Sequence, residues 1–290
     1  MNRIATIGFF DGVHKGHCYL FEQLQSVAKT RGLEPLIVSF AEHPRMTLQA
    51  DYMPQLLTTL DERKSLLRAY GEVLMLPFAD IQPLTAAEFM QVLKEQYAVS
   101  VLLMGYDHRF GSDRLKHPQE YRHIGEQCGI EVLTMGEFTE GEWHVSSTEI
   151  RSALETGNIA VANELLGRPY NLSGTVVHGN GIGRSIGFPT ANIQPESAEK
   201  IIPKNGVYAV EVMGEGLQVM GICNIGTNPT VGNTHRTIEV FIPSFEGDLY
   251  GQHMEIRFTR FIREEKHFDS LSELREQIAT DVGNSLRQGV

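Results

Sequence analysis

Two textures of apolar and polar positions divide this chain near residue 155. Before that point, short apolar runs alternate with stretches of helical spacing. Residues 4–7 predict a strand; Leu20, Phe21, Leu24, Val27 and Ala28 then recur on one helical face until Gly32 stops it. Residues 36–40 predict a second strand, and Asp61 is placed to cap a helix with Leu66, Leu67 and Tyr70 that Gly71 closes. Residues 73–76 predict a third strand, 86–97 a helix, 101–104 a fourth strand, 121–128 a helix and 130–135 a fifth strand. Helices interposed regularly between short apolar strands imply right-handed crossovers, hence a mostly parallel sheet covered on both faces.

After a helical stretch at 159–166 the texture changes. β-rich runs at 174–178, 207–212, 219–225, 237–242 and 254–258 are separated by Gly, Pro and Asn turns with no helix between them. That is the pattern of an antiparallel barrel or sandwich. Ser270 and Glu273 form a capping box for one closing helix marked by Leu271, Leu274 and Ile278. The change at Arg168–Pro169 predicts two domains, 1–167 and 168–290, which suits a chain of 290 residues.

Candidate chemistry collects where the first strand turns into the first helix. Gly8, Phe10, Asp11, Gly12, His14, Gly16 and His17 follow the strand at once. In a parallel sheet this is a phosphate site, because free N–H groups and the positive helix end point outward from the strand's carboxyl end. The two histidines can donate hydrogen bonds to oxygens that gain charge in a reaction. The segment 105–111 follows the fourth strand and offers Asp107, His108, Arg109 and aromatic residues to a planar ligand. Ser147, Thr148 and Arg151 open a helix after the fifth strand, as a phosphate cradle or as an ordinary helix cap.

Charge and cysteine content narrow the classes. A net charge of −11 argues against a nucleic-acid partner but not against nucleotides, which meet local charge. Cys18, Cys128 and Cys223 lie far apart, giving neither a metal pattern nor a disulfide framework. No apolar run approaches membrane-spanning length and no basic-then-apolar leader is visible, so a cytoplasmic location without membrane association is expected. The first strand starts so near Met1 that a missing amino-terminal segment is compatible with the pattern.

Taken in order, GxFDGVHxGH at 8–17, FxxHP at 40–44, TLDERK at 59–64, GYDxRFG at 105–111 and SSTxIR at 146–151 resemble the adenylyltransferase half of bacterial bifunctional riboflavin kinase/FAD synthetases. GTVVHG at 174–179, GRSIGFPTAN at 183–192, NGVY at 205–208, NIGTNPT at 224–230 and IEVFI at 238–242 resemble the kinase module of the same enzymes. The resemblance implies a Rossmann-like nucleotidyltransferase domain followed by an antiparallel kinase barrel. It implies an enzyme that makes FMN and ADP from riboflavin and ATP, then FAD and pyrophosphate from FMN and a second ATP, with Mg2+ in both steps. His14, His17 and Arg151 would then act on the phosphates of ATP, helped by Ser147 and Thr148. Thr190 and Asn192 would position magnesium and phosphates beside Gly181 and Gly183, Glu239 would accept the proton of the ribityl hydroxyl, and Asp107 would touch the flavin. The chain departs from the usual pattern at Phe9, where Asn or a small polar residue is common, at Phe241 in place of His, and at Ser244 in place of Asp. Two other readings are an adenylyltransferase for a different phosphate acceptor, which leaves the barrel motifs unexplained, and a flavin-binding module without turnover. Oligomeric state is not readable from the sequence.

Overall fold

A computed structural model describes residues 2–49, 51–106, 108–136, 138–140, 143–179, 182–230, 233–243, 245 and 247–286. The chain divides into two compact units, Met1–Ser147 and Thr148–Val290.

The first unit is built on strands β1 (Arg3–Ile7), β2 (Glu34–Phe40), β3 (Glu72–Leu76), β4 (Val99–Met104) and β5 (Glu131–Thr134), hydrogen-bonded in the order β3-β2-β1-β4-β5. Every pairing is parallel. Alternate residues of β1, β2 and β4 feed two separate cores. Ala5, Ile7, Leu36, Val38 and Leu102 pack on one face beneath α5 (Ala86–Tyr97) and α6 (Pro118–Cys128). Ile4, Ile37, Val101 and Leu103 pack on the other beneath α1 (Lys15–Arg31) and α3 (Leu60–Leu67). Burial on both faces is why these strands read as unbroken apolar runs.

Helix ends follow their capping residues. Gly32 ends α1 in the left-handed conformation, φ 66°, as expected. The cap of α3 is Thr59, not Asp61: the Thr59 hydroxyl accepts the Glu62 N–H while the Glu62 carboxylate accepts the Thr59 N–H. That helix also ends at Leu67, before Gly71. Gly71 serves close approach instead, since a Cβ there would lie 2.8 Å from the Pro35 carbonyl oxygen. The short helices α2 (Pro44–Leu48) and α4 (Phe78–Ile81) and the hairpin β6 (Thr139–Glu140) with β7 (Trp143–His144) lie in connections the periodicity left blank.

The second unit carries α7 (Ser147–Thr156, whose first residue belongs to the first unit), α8 (Ile159–Leu166), and a closed barrel of β8 (Tyr170–Val177), β9 (Thr190–Pro195), β10 (Gly206–Gly214), β11 (Leu217–Thr230), β12 (Asn233–Phe241) and β13 (His253–Arg263). Barrel order is β10-β11-β12-β9-β8-β13 and all pairings are antiparallel. Asn163 ties α8 to the barrel: its amide donates to the Phe258 carbonyl at 2.8 Å and its oxygen accepts the Tyr170 N–H at 2.8 Å. Two features correct the sequence reading here. A one-turn helix, α9 (Ile182–Ser185), interrupts the strands, and residues 190–195 are a strand although Pro and Asn break their alternation. α10 (Leu271–Leu286) closes the chain, with the Ser270 hydroxyl accepting the Glu273 N–H.

Candidate active sites

At the carboxyl ends of β1 and β4, where strand order reverses from one side of the sheet to the other, lies a cavity of about 290 Å³. Gly8, Phe10, His14, Gly16, His17 and Ser147 line it, together with Tyr106, His108 and Ser146. His14 is the N-cap of α1 and His17 sits in its first turn, which contains no acidic residue. The positive helix end is therefore not neutralised from within. The two imidazoles stack at 3.6 Å with planes 20° apart, and His17 rests edge-on against Phe10 at 5.2 Å. Phe10 and Val13 hold positive φ of 55° and 41°, a strained backbone of the kind that clusters at functional sites.

That strained loop is clamped from below. Asp11 is nearly buried, and its carboxylate accepts the N–H groups of Leu57 at 3.0 Å and Thr58 at 3.1 Å and the Thr58 hydroxyl at 3.1 Å. Gly12, at φ 80°, gives its N–H to the same hydroxyl at 3.0 Å. Ser147 then donates to the Asp11 carbonyl at 2.9 Å. Asp11 and Gly12, expected to bind phosphate, thus do not line the cavity: a carboxylate satisfied by N–H donors is a brace, and that glycine amide is already engaged. Thr148 is exposed and Arg151 half-buried on α7, in the second compact unit. Asp107 and Gly181 lie outside the described residues, as does Ser244.

Beside the first cavity is a second of about 390 Å³, lined by Phe9, Phe40, Phe78 and Phe110, with Arg109 and Arg114. Phe9 and His108 line both. The sequence pointed to one wall of this slot, the 105–111 segment, but not to Phe9, Phe40 and Phe78, which come from separate parts of the chain.

The barrel has its own pair of cavities. One, about 280 Å³, is lined by Gly183, Thr190, Asn224 and Glu239, by Phe188, Phe241 and Phe268, and by Arg263 and Asp281. The other, about 160 Å³, is lined by Arg184, Pro189, Thr190, Asp248 and Tyr250 among others. Thr190 borders both. Its hydroxyl lies 3.2 Å from a carboxylate oxygen of Glu239, to which it donates. Strand register places Asn224 and Asn192 on either side of Glu239. A Cβ on Gly183 would come 2.3 Å from the Phe188 carbonyl oxygen, so only glycine lets α9 fold against this wall. The Asn192 side chain lies under Gly179, where any Cβ would collide with its amide. Arg263 grips the buried Asp281 of α10 through two nitrogens at 2.8–3.2 Å, tying that helix to the end of β13. Arg263, Phe268 and Asp281 line this cavity although sequence reasoning did not single them out; the closing helix was the only signal for Asp281. Burial, with the negative Glu239 nearby, holds the Cys223 thiol well above its usual range.

A sheet-end cavity with a histidine pair on a helix start, joined in one chain to a barrel with a carboxylate facing a cavity, defines a nucleotidyltransferase unit followed by a kinase-type barrel. Comparison with known proteins agrees. The family model for FAD synthetase matches residues 1–149 and that for riboflavin kinase matches 166–288. A bifunctional riboflavin kinase/FMN adenylyltransferase of Escherichia coli strain K12 is 39% identical over 96% of this chain and 90% of that protein. One from Listeria monocytogenes is 32% identical over 97% and 90%. A crystal structure from Streptococcus pneumoniae, described as a macrolide-efflux protein, superposes with TM-score 0.91 at 31% identity, covering 100% of this chain and 95% of that one. Among the described residues, no helix is long and apolar enough to cross a membrane. The chain belongs to the bifunctional riboflavin kinase/FMN adenylyltransferase family.

Proposed function

We propose that the barrel phosphorylates riboflavin and the parallel-sheet unit adenylylates the product, with functional domains spanning 1–167 and 168–290. The chain is a bifunctional riboflavin kinase and FMN adenylyltransferase, converting riboflavin to FMN with ATP and FMN to FAD with a second ATP, releasing pyrophosphate.

The observation that carries the kinase assignment is the Thr190–Glu239 contact at the border of two cavities. Riboflavin's planar ring fits the aromatic cavity between Phe188, Phe241 and Phe268, and ATP takes the cavity beside Tyr250. The ribityl hydroxyl oxygen bonds to the γ-phosphorus as the bond to the β,γ-bridging oxygen breaks and ADP leaves. Glu239 takes the hydroxyl proton, a contribution of about 10²–10⁴ in rate. Thr190 and Asn192 are neutral oxygen donors, and among the described residues no group of three His, Cys, Asp or Glu forms a metal cage. This set fits Mg2+, which binds through few protein oxygens plus substrate phosphates and waters. Held by Thr190 and Asn192, the ion would supply positive charge to offset that of the phosphates.

In the first unit, ATP occupies the cavity at the ends of β1 and β4 and FMN the aromatic slot. An oxygen of the FMN phosphate bonds to the α-phosphorus and pyrophosphate departs. His14 and His17 donate to the phosphate oxygens while Gly8, Gly16 and Ser147 shape the cradle. Thr148 and Arg151 hold the leaving phosphates, Asp107 contacts the flavin, and Gly181 belongs to the nucleotide loop of the kinase. A cytoplasmic location belongs to the same proposal, because ATP is supplied there.

The test is a crossed pair of variants assayed by chromatography of FMN and FAD. His17→Ala lowers FAD formation from FMN by about 10²-fold or more and spares FMN formation. Glu239→Gln does the reverse. Either change silencing both steps in a folded protein refutes the division of labour.

A further inference from the structure

We propose that Arg63 is a positioning residue for the adenylyl transfer, bracing the Phe9 ring as the partition between the nucleotide and flavin cavities. This rests on the assignment of those cavities to ATP and FMN. Arg63 is a cation with 0% exposure, on α3. Its guanidinium carbon lies 3.9 Å from the centre of the Phe9 ring. One of its nitrogens donates to the carbonyls of Phe40 at 2.6 Å and Ala41 at 3.3 Å, at the end of β2. The cation therefore has fixed anchors and sits over the ring. His43 meets the ring edge-on at 4.8 Å, which limits its tilt.

Phe9 and His108 are the side chains that line both the cavity of about 290 Å³ and that of about 390 Å³. An FMN phosphate reaching for the α-phosphorus must pass this border, so the ring's position sets both the flavin's seat and the angle of approach. Errors near 1 Å in such alignment cost up to about 10²-fold. A desolvated cation–π contact holds the ring where an uncharged side chain of similar volume does not. Lysine keeps the charge but loses the flat guanidinium face and its spread of donors. The segment just before α3 is fastened to the β1–α1 loop, with Leu57 and Thr58 donating to Asp11, so that loop is held at two points, Phe9 and Asp11.

The experiment measures KM for FMN, KM for ATP and kcat of FAD formation with the full chain. Arg63→Met raises KM for FMN about tenfold while KM for ATP stays within about twofold, and Arg63→Lys recovers part of the loss. Phe9→Leu raises KM for FMN by itself, and adding Arg63→Met to it costs little more, because the two act through one contact. An Arg63→Met variant that lowers only kcat, or that costs as much in the Phe9→Leu background as in the otherwise unaltered chain, overturns the proposal. Should Arg63→Met not fold, Arg63→Lys decides in the same two backgrounds: equal effects in both overturn it. Gln82→Trp, at the exposed rim of the flavin cavity, checks the underlying assignment. If it leaves KM for FMN unchanged, the cavity assignment fails; if it raises that KM and the Arg63 variants do not, only the bracing fails.

Discussion

Asp11→Asn separates a brace from a phosphate ligand. The Asp11 carboxylate is 4% exposed and serves three donors: two backbone N–H groups and the Thr58 hydroxyl. Hydrogen bonds to a charged acceptor contribute about 1.5–3 kcal/mol each. Because one oxygen receives several of the three, removing the group entirely costs about 3–6 kcal/mol, and asparagine, which keeps one acceptor oxygen but turns NH₂ toward an N–H, costs about 2–3 kcal/mol. For a unit of this size that lowers its melting temperature by about 5–10 °C. A signal confined to residues 1–147 isolates this effect from the barrel. Amide hydrogen exchange of β1 and β2 should report the loss while kinase activity persists, and the unclamped loop should slow FAD formation without a selective rise in KM for ATP. An Asn variant that melts with wild type but loses ATP affinity alone would show that the carboxylate acts on the nucleotide, and the clamp argument would be wrong.

Other outcomes follow from the barrel. Burial raises the pKa of Tyr208, and burial with Glu239 raises that of Cys223. Both groups stay protonated in the fold above the pH at which the unfolded chain ionises, near 8.5 for thiol and 10 for phenol. Their contribution is complete below those values and is lost as pH rises past them, by about 1.4 kcal/mol per pH unit for each group. Urea titrations above pH 9 should show this fall, and Tyr208→Phe should remove part of the slope; an unchanged slope contradicts the burial argument. At neutral pH, iodoacetamide should modify the half-buried Cys18 and Cys128 and spare the fully buried Cys223 until the chain unfolds. Mass spectrometry showing equal labelling of all three in the native protein refutes this.

The parallel sheet was legible because strands buried on both faces must be apolar runs and their crossovers must be helices. Helix 86–97 coincides with its expected span, since Thr85 and Glu88 cap it and the apolar stripe ends with it. Where two capping residues compete, as Thr59 and Asp61 do, the deciding partner is Glu62, three residues after Thr59. β9 was hidden because Pro189 and Asn192 obscure a strand whose half-buried positions face a cavity rather than a core. The role of Asp11 was hidden for another reason: its partners lie 46 and 47 residues away, and an acid in a glycine-rich turn looks like a ligand until the fold brings Leu57 and Thr58 to it. Arg63 was one charge in a run, and nothing local tells a buried guanidinium from a solvated one.

The linings of the two centres differ in a way that follows from their nucleophiles. Among the described residues, the two cavities of the first unit present histidine and arginine but no carboxylate. Its nucleophile is a phosphate whose second pKa is near 6, already anionic at neutral pH, so a base would add only repulsion. The barrel's larger cavity holds Glu239, Glu265 and Asp281. Its nucleophile is an alcohol, which must shed a proton as it attacks, so a carboxylate is needed within reach. Of the three, Asp281 is committed to Arg263 and Glu265 accepts from the Asn205 amide, whereas Glu239 accepts from Thr190 at the cavity border, where the proposed acceptor role puts it. Swapping the two linings would disable both proposed steps: an acid beside the ATP phosphates would repel them, and a histidine-only barrel would lack the strand-fixed carboxylate proposed to take the hydroxyl proton. The division of chemistry between the units is thus written in the charge of the group each must activate.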